Sequence, residues 1–189
     1  MELDSNQIDF LLKRIAPGHF KGVYACDELP EQMCGPSFLV INTSPAIRPT
    51  GHWVGLAIKK NNSAEYFDSY GMSPFGKIAK FIENNSTYCV YNQNLVLQLL
   101  SNLCRYYAIF FVYMAARGRS LGHVMARFGS DSRINDKKYL KKFIRSRGLG
   151  DEGGGEWQQH RSAVPLSRSD YLVPPVSRLN FRTDKCFFQ

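Results

Sequence analysis

Four polar residues among the first 104 have the types and the order that a thiol nucleophile needs. Cys104 can supply the nucleophile, His52 can take and return its proton, and Asp68 can hold the imidazole in one orientation. Gln98 can donate a side-chain N–H, beside the Cys104 backbone N–H, to the oxyanion that forms when a thiolate attacks a carbonyl carbon. The chemistry that these residue types predict is acyl transfer through a thioester.

Two elements must bring these side chains together. The segments WVGLAI, residues 53–58, and EYFD, residues 65–68, predict two strands of a hairpin joined by the polar turn KKNNS. His52 precedes the first strand and Asp68 ends the second, so the hairpin places them side by side. The apolar run CRYYAIFFVYMAA, residues 104–116, predicts a buried helix, whose partly positive N-terminus favours a thiolate at its first residue.

Taken one at a time, the same residues have ordinary structural roles. A histidine at a strand start is commonly a surface or hydrogen-bonded residue, and a buried cysteine commonly packs as a small apolar side chain. Asp68 can serve as a turn residue in FDSYG, in which Ser69, Tyr70 and Gly71 are interpreted as turn residues too. The residue types and their spacing therefore leave a catalytic and a structural interpretation both open.

The composition limits the class of protein. The chain of 189 residues is 44% apolar, which is enough for one domain with its own hydrophobic core. The first residues, MELDSNQIDF, are polar and acidic, and no apolar run reaches the ~18 residues of a membrane span. An intracellular protein without a membrane partner is expected. The five cysteines are odd in number and irregularly spaced, which argues against a disulfide framework and a zinc site.

Hydrophobic periodicity predicts further helices and strands, and hence an α+β fold. Helices are expected at residues 4–15, 75–83 and 134–146, and strands at 37–43, 87–91 and 95–98. The residues expected to face inward from the second and third helices are Phe75, Ile78, Phe81 and Ile82, and Leu140, Phe143 and Ile144, respectively.

The character of the chain changes after Gly148. The stretch GLGDEGGGEWQQH is rich in glycine, three prolines follow, and no periodicity persists. We predict a domain over residues 1–148 and a flexible or divergent C-terminal tail over residues 149–189.

Three motifs taken together resemble the adenovirus-type (adenain-like) cysteine proteases. They are GHW around His52, YFDSYG around Asp68 and QLLSNLCRYYAIFF around Gln98 and Cys104, in the family's order of His, acid, Gln and Cys. The resemblance is to versions encoded by Maverick/Polinton elements and adenovirus-like genomes, and SUMO-specific proteases are more distant relatives. It extends through FKGVYACDELP, FLVINT and RFGSDSRINDKKYLKKF, over roughly residues 5–147.

The resemblance implies a fold and an activity. The fold is that of the adenain and SUMO-protease type, with a central mixed sheet packed against the helix that starts at the nucleophile. The activity is that of a cysteine endopeptidase cleaving capsid-type precursor proteins at glycine or other small residues, with His52, Asp68, Gln98 and Cys104 as catalytic residues. The resemblance further implies a monomer in a virion or host nucleus, without a metal or organic cofactor, and activation by DNA or a peptide.

The net charge of +8 suggests acidic partners. Seven basic residues and one acid, Asp136, lie between Arg133 and Arg147. The candidate DNA-binding residues of this basic helix are Lys137, Lys138, Lys141, Lys142 and Arg145. A merely solvated basic helix face is the alternative interpretation.

One residue departs from the family's pattern. The family has Gly directly after the cysteine, and this chain has Arg105. Its side chain can crowd the substrate and tilt the Cys104 N–H, or point away and favour the thiolate by its charge. Two alternatives to the maturation protease follow: a deconjugating protease of a ubiquitin-like modifier, and a catalytically inactive remnant that binds nucleic acid or protein.

Overall fold

A computed structural model describes residues 3–48, 50–97, 102–146 and 176–181, with the side chains of residues 138 and 139 outside the description. The helices are α1 (Ser5–Ile15), α2 (Gly76–Asn85), α3 (Cys104–Ala115), α4 (Leu121–Met125), α5 (Ser132–Ile134) and α6 (Lys141–Ser146), with a π-helix (Asn135–Leu140) between α5 and α6. The strands are β1 (Phe20–Ala25), β2 (Ser37–Asn42), β3 (Trp53–Ile58), β4 (Ser63–Phe67), β5 (Tyr88–Asn92) and β6 (Val176–Asn180).

The strands form one mixed sheet in the order β1-β2-β3-β4-β5-β6. The pairs β1–β2 and β4–β5 are parallel, and the other neighbours are antiparallel. The β3–β4 hairpin predicted from the sequence is present, with Gly55 opposite Phe67. The expected α+β class, with a mixed sheet against a buried helix, is confirmed.

Both faces of the central strands are buried, so every residue of β2 and β3 is buried and their central residues do not alternate with polar ones. One face packs against α1, α3, α4 and α6, and the other packs mainly against α2. Successive residues of each strand alternate between the two cores. In β2, for example, Val40 joins the α3 core and Ile41 joins the α2 core.

Helix α3 is apolar on nearly every face because the rest of the fold surrounds it. All of its residues except Arg105 are buried. It approaches the sheet closely at Gly55 of β3, where an added Cβ would lie 2.5 Å from Phe111 Cδ1 and 3.4 Å from the Ala108 carbonyl oxygen. Phe111 also stacks on Phe67, with ring centroids 5.4 Å apart. Within the described ranges, no helix is both long enough and apolar enough to cross a membrane.

Two arginines of α3 and its C-terminal turn hold helix α1 at its two ends. Arg105 Nη1 donates to the Leu3 carbonyl at 2.6 Å, and Arg117 Nη1 donates to the Ile15 carbonyl at 3.0 Å. Asp4 caps the first turn of α1 by accepting from the Gln7 N–H. The start of α1 therefore lies beside the start of α3.

Most of the elements expected from periodicity are present, but the helix expected at residues 134–146 is a π-helix over Asn135–Leu140 and becomes α-helical again in α6. Phe75, expected to face inward, precedes α2 and is 49% exposed, whereas the other three expected residues of that helix are buried. Residues 95–97 form no strand. Strand β1 was not predicted, because Gly22 adopts a φ of 133° and the register shifts between Phe20 and Gly22, which breaks the alternation.

Strand β6 lies in the segment expected to be a flexible or divergent tail. It pairs antiparallel with β5 at the edge of the sheet, and its side chains are exposed or half-buried. Residues 176–180 therefore form regular structure inside the expected tail, and an edge strand with little buried surface lacks a strong hydrophobic pattern in the sequence. The domain boundary at residue 148 stays a prediction, because residues 147–175 lie outside the described ranges.

The contact between β3 and α3 predicts the effect of one methyl group. Gly55→Ala should lower the free energy of unfolding by about 1–3 kcal/mol, because Phe111 is fully buried and cannot yield. Gly129→Ala is the matched control, because no described atom lies within 4 Å of the point that its new Cβ would occupy. Its change should stay within about 0.5 kcal/mol. Urea denaturation measures both, and equal stability of the two variants would contradict the prediction.

Candidate active site

His52 is held at the start of β3 by its own backbone. Its N–H donates to Thr43 Oγ1 at 3.3 Å, and its carbonyl accepts from the Thr43 N–H at 2.8 Å. Gly51 makes this approach possible, because a Cβ there would lie 1.9 Å from Asn42 Oδ1 and 2.6 Å from Ser44 Oγ. Glycine is therefore required before the histidine in the GHW motif, because a side chain there would collide with Asn42 and Ser44.

Asp68 lies directly after β4 and is fully buried. Its Oδ1 is 2.6 Å from His52 Nε2 and also accepts from the Tyr70 N–H at 2.7 Å. Asn92, the last residue of β5, accepts from the Asp68 N–H at 2.9 Å and donates to the Asp68 carbonyl at 2.6 Å. Both backbone groups of Asp68 are thus held by one buried amide, which fixes the direction of the carboxylate.

The turn after Asp68 packs against the histidine. The Asp68 carbonyl accepts from the Gly71 N–H at 2.9 Å, and the Tyr70 ring lies over the imidazole with centroids 4.4 Å apart. Gly71 has a φ of 75°, and a Cβ there would lie 2.6 Å from the Gln93 carbonyl oxygen. Glycine is required at this point, because the turn is left-handed and touches the loop after β5.

Cys104 is the first residue of α3 and is 8% exposed. No side chain of the described residues caps the N-terminus of α3, and such a helix end carries a partial positive charge. Trp53 follows His52 in β3 and packs in the same apolar core as Cys104. Its backbone hydrogen-bonds the thiol and favours the thiolate.

The structure brings His52, Asp68 and Cys104 together as a thiol–imidazole–carboxylate group. Burial is the largest influence on the pKa of His52 and lowers it, but the hydrogen bond and charge of Asp68, together with the nearby Cys104, outweigh burial and raise the pKa to about 9. Burial likewise raises the pKa of Cys104, but His52, the Trp53 backbone and the charge of Arg105 outweigh it and lower the pKa below its ordinary value. Both shifts favour the thiolate–imidazolium form of the pair over the neutral form.

The contact between imidazole and thiol is not yet a formed hydrogen bond. Because Nε2 bonds to Asp68, Nδ1 is the nitrogen left for Cys104, and it is buried without a partner of ordinary hydrogen-bond geometry in the described part of the chain. Such pairs are commonly long before substrate binds and tighten in the complex. The stability that the imidazolium contributes is fully present below pH 6.5 and is lost as pH rises through about 9.

The environment of Cys104 differs from that of the other buried thiol. Cys89, in β5, is fully buried, and burial raises its pKa to about 12. It therefore stays protonated and behaves as a small apolar side chain. Burial alone keeps a thiol protonated and unreactive. The imidazolium beside Cys104 is what distinguishes this thiol from that of Cys89.

Arg105 lies away from the imidazole. Its guanidinium donates to the Leu3 carbonyl, and its charge contributes to the lowered pKa of Cys104. The sequence left two arrangements of Arg105 open. The structure has the one in which its side chain points away from the site and its charge favours the thiolate.

Gln98 lies outside the described residues, so its role in an oxyanion hole stays a prediction. The segment before it is described, and it is buried: Val96 and Leu97 are 1% and 0% exposed. Their N–H groups both donate to the Ser69 carbonyl, at 2.9 and 3.3 Å. The loop that leads to Gln98 is thus attached to the turn that follows Asp68.

No group of three or more His, Cys, Asp or Glu residues within the described ranges could hold a metal ion. The lack of a metal or organic cofactor was expected from the resemblance, and it stays a prediction.

Sequence reasoning missed two residues of the site, Asn92 and Tyr70. Asn92 ends the apolar strand YCVYN and is fully buried, and a polar residue closing such a strand was the available signal. Tyr70 was interpreted as a turn residue, and only the hairpin geometry places its ring on the imidazole.

The fold is similar to that of a known protease. No protein-family model matches the chain, and no curated protein matches it. The crystal structure of the ASFV pS273R protease superposes with a TM-score of 0.53 at 18% identity, covering 70% of this chain and 64% of that chain. A selenomethionine structure of the same protease gives a TM-score of 0.42 at 20% identity, covering 54% and 42%.

At 18% identity the first superposition shows the fold alone, the SUMO-protease-like cysteine-protease fold. The chain spans 64% of the length of that protease. The likeness supports the fold that the resemblance implies, and it does not support the narrower adenovirus-type assignment.

The opposite pKa shifts of His52 and Cys104 predict an unusual pH dependence of alkylation. Iodoacetamide should react with Cys104 at a lower pH than with the exposed Cys34 of the same molecule, because the imidazolium holds Cys104 as a thiolate below its ordinary pKa. Peptide mapping by mass spectrometry, across pH 5 to 10 in ~0.5-unit steps, measures both thiols.

His52→Ala provides the control for this prediction. It removes the largest influence that lowers the pKa of Cys104 and leaves burial opposed only by the Trp53 backbone and the charge of Arg105, so the alkylation of Cys104 should shift to higher pH while that of Cys34 stays unchanged. Identical pH profiles for the two thiols in the unaltered protein would contradict the ion pair.

Proposed function

We propose that this protein is a cysteine endopeptidase that cleaves peptide bonds through a thioester acyl-enzyme. The observation that supports it most is the buried contact of Asp68 with His52 Nε2, which turns Nδ1 to a thiol at a helix N-terminus. The fold shared with the pS273R protease is consistent with the same class of hydrolase. A structural cysteine would need neither the carboxylate nor the lowered pKa.

The proposed reaction begins with attack of the Cys104 thiolate on the scissile carbonyl carbon, which forms a C–S bond and an oxyanion. The His52 imidazolium then gives its proton to the leaving amine as the C–N bond breaks. Asp68 keeps the imidazole in the tautomer and orientation that the transfer needs. Water, deprotonated by His52, attacks the thioester and releases the acid, and the thiolate–imidazolium pair returns.

We propose that the Cys104 N–H and the Gln98 side chain stabilise the oxyanion. The N-terminus of α3 supplies a backbone donor and a favourable dipole at the position of the nucleophile. The assignment of Gln98 rests on the resemblance and on the buried segment that precedes it.

The proposed substrates are precursor proteins of the capsid type, cleaved at glycine or other small residues. The resemblance supports this choice, since it includes the residues around both His52 and Cys104. Deconjugation of a ubiquitin-like modifier, which also ends in glycine, is the nearest alternative.

Cleavage of a fluorogenic peptide with a Gly-Gly acyl side tests the proposal. We expect Cys104→Ser to lower kcat/KM by at least about a thousandfold while circular dichroism and Tm stay near those of the unaltered protein. Asn85→Ala, a change in a buried residue on the other face of the sheet, is the control, and its kcat/KM should be preserved. Cleavage that persists in Cys104→Ser would exclude Cys104 as the nucleophile.

One further reagent and one further variant separate the alternatives. A ubiquitin-like vinyl sulfone that labels Cys104 while the Gly-Gly peptide is not cleaved would favour the deconjugating protease. A binding remnant would cleave neither substrate and would show no lowered pKa of Cys104. Turnover by Arg105→Gly in the absence of turnover by the unaltered protein would mean that Arg105 alone silences the site.

We propose in addition that the basic helix binds the phosphate backbone of DNA. The exposed side chains of Lys137, Lys141, Lys142 and Arg145 lie opposite the buried Leu140, Phe143 and Ile144, so the charge is presented on one side. The side chain of Lys138 lies outside the description.

Fluorescence anisotropy with a short DNA duplex at several salt concentrations tests the basic face. Changing the four exposed basic residues to Gln should reduce the slope of log K against log salt by about 3–4, because about 0.9 counterions are released per phosphate contact. A control with the same change of charge uses four exposed lysines elsewhere, Lys21, Lys60, Lys77 and Lys80. Equal loss of affinity in both variants would mean that only net charge matters.

A further inference from the structure

A buried polar network holds the Val96 carbonyl, two residues before Gln98. Asn135 Nδ2 donates to this carbonyl at 3.1 Å, and the Tyr107 hydroxyl lies 3.2 Å from it. The Val96 N–H is held on the opposite side by the Ser69 carbonyl. Both backbone groups of a residue outside any helix or strand are therefore fixed.

Asn135 uses both of its donors and its oxygen to join two loops. Its side chain is fully buried, and its second Nδ2 hydrogen goes to the Gly129 carbonyl at 2.9 Å while its Oδ1 accepts from the Gly129 N–H at 2.9 Å. The amide thus joins the loop before α5 to the loop before Gln98. No other residue type offers two donors and one acceptor at this length.

Tyr107 and Asp136 complete the network from α3. The Tyr107 hydroxyl is 2.5 Å from Asp136 Oδ1, and both side chains are buried. One hydroxyl proton faces two acceptors, and the shorter contact is to the carboxylate, so Asn135 is the donor on which the Val96 carbonyl depends. The single acid of the basic run is consequently an internal residue and not part of the basic face.

The backbone at this point departs from a regular α-helix. Asn135 and Asp136 are the first two residues of the π-helix, which continues to Leu140. Insertions of this kind are frequent at functional sites, where they change the direction of a side chain at some cost in stability. Here Asn135 bonds to Val96, in the segment that leads to Gln98. Asp136 bonds to Tyr107, whose hydroxyl lies beside the same Val96 carbonyl.

We propose that Asn135, with Tyr107 and Asp136, is a positioning device for the oxyanion side of the active site. The network fixes Val96 and Leu97, the last described residues before Gln98, to which the proposed function assigns the oxyanion. The proposal rests on the proposed protease function for its catalytic consequence, and on the described contacts for its mechanical part. None of the three residues touches the reacting atoms, and they act through the backbone.

The mechanical part is tested by amide hydrogen exchange in Asn135→Ala, measured by NMR. Exchange at Val96 and Leu97 should accelerate at least about tenfold more than at Leu56 in the core of β3, which reports global opening. Tyr107→Phe is the milder second variant, and it should have a smaller effect in the same place. This measurement needs no turnover.

The catalytic part is tested by comparing two reactions of Cys104. Alkylation by iodoacetamide needs the thiolate but no oxyanion hole, whereas hydrolysis of the Gly-Gly peptide needs both. Asn135→Ala should lower kcat by about ten- to a hundredfold with KM and the alkylation rate nearly unchanged, because a small displacement of an oxyanion donor has an effect of that size.

Asn85→Ala is the matched control, because Asn85 is also a buried amide with three hydrogen bonds to distant backbone and to its own helix, on α2. It should lose stability comparably without a selective effect at Val96 or on kcat. The proposal is overturned if exchange at Val96 and Leu97 follows Leu56, or if alkylation and kcat fall together. A native protein that cleaves no peptide would sink the proposed function, and the exchange measurement would still decide the mechanical part.

Discussion

The contact of α3 with β3 at Gly55 is the constraint on which the site depends. Only at a residue without a Cβ can the Phe111 ring come this close to the sheet, and the Phe67 ring stacks on the same aromatic side chain. The depth of α3 in the core follows from this contact. Since Cys104 begins α3 and His52 immediately precedes β3, the distance between thiol and imidazole is decided by apolar packing further along both elements.

Buried amides complete what the apolar packing begins. Asn92 orients Asp68 from the end of β5, and Asn135 holds the Val96 carbonyl from the start of the π-helix, and each bonds to backbone rather than to side chains. A buried backbone group without a partner costs about 1–3 kcal/mol, so loops held in this way have few alternative conformations. The backbone near the nucleophile is thereby held in place by side chains that take no part in the reaction.

The sequence predicts the parts of this protein that have strong periodicity or a buried apolar run. The hairpin, α1, α2 and α3 are of this kind, and they are sufficient to bring His52, Asp68 and Cys104 to one place. Strand β1 is hidden by its glycine bulge, and β6 is an edge strand with little buried surface. The roles of Asn92 and Asn135 were not predictable, because a partner 24 or 39 residues away is known only once the loops are placed.

The two arginines that hold α1 have a consequence for how this sequence can diverge. Arg105 and Arg117 both bond to main-chain carbonyls, at Leu3 and Ile15, and every amino acid supplies such a carbonyl. The residue types at positions 3 and 15 can therefore change without breaking either hydrogen bond. Homologues can keep the arginines while the helix they hold loses recognisable similarity, and covariation between the paired positions should be absent.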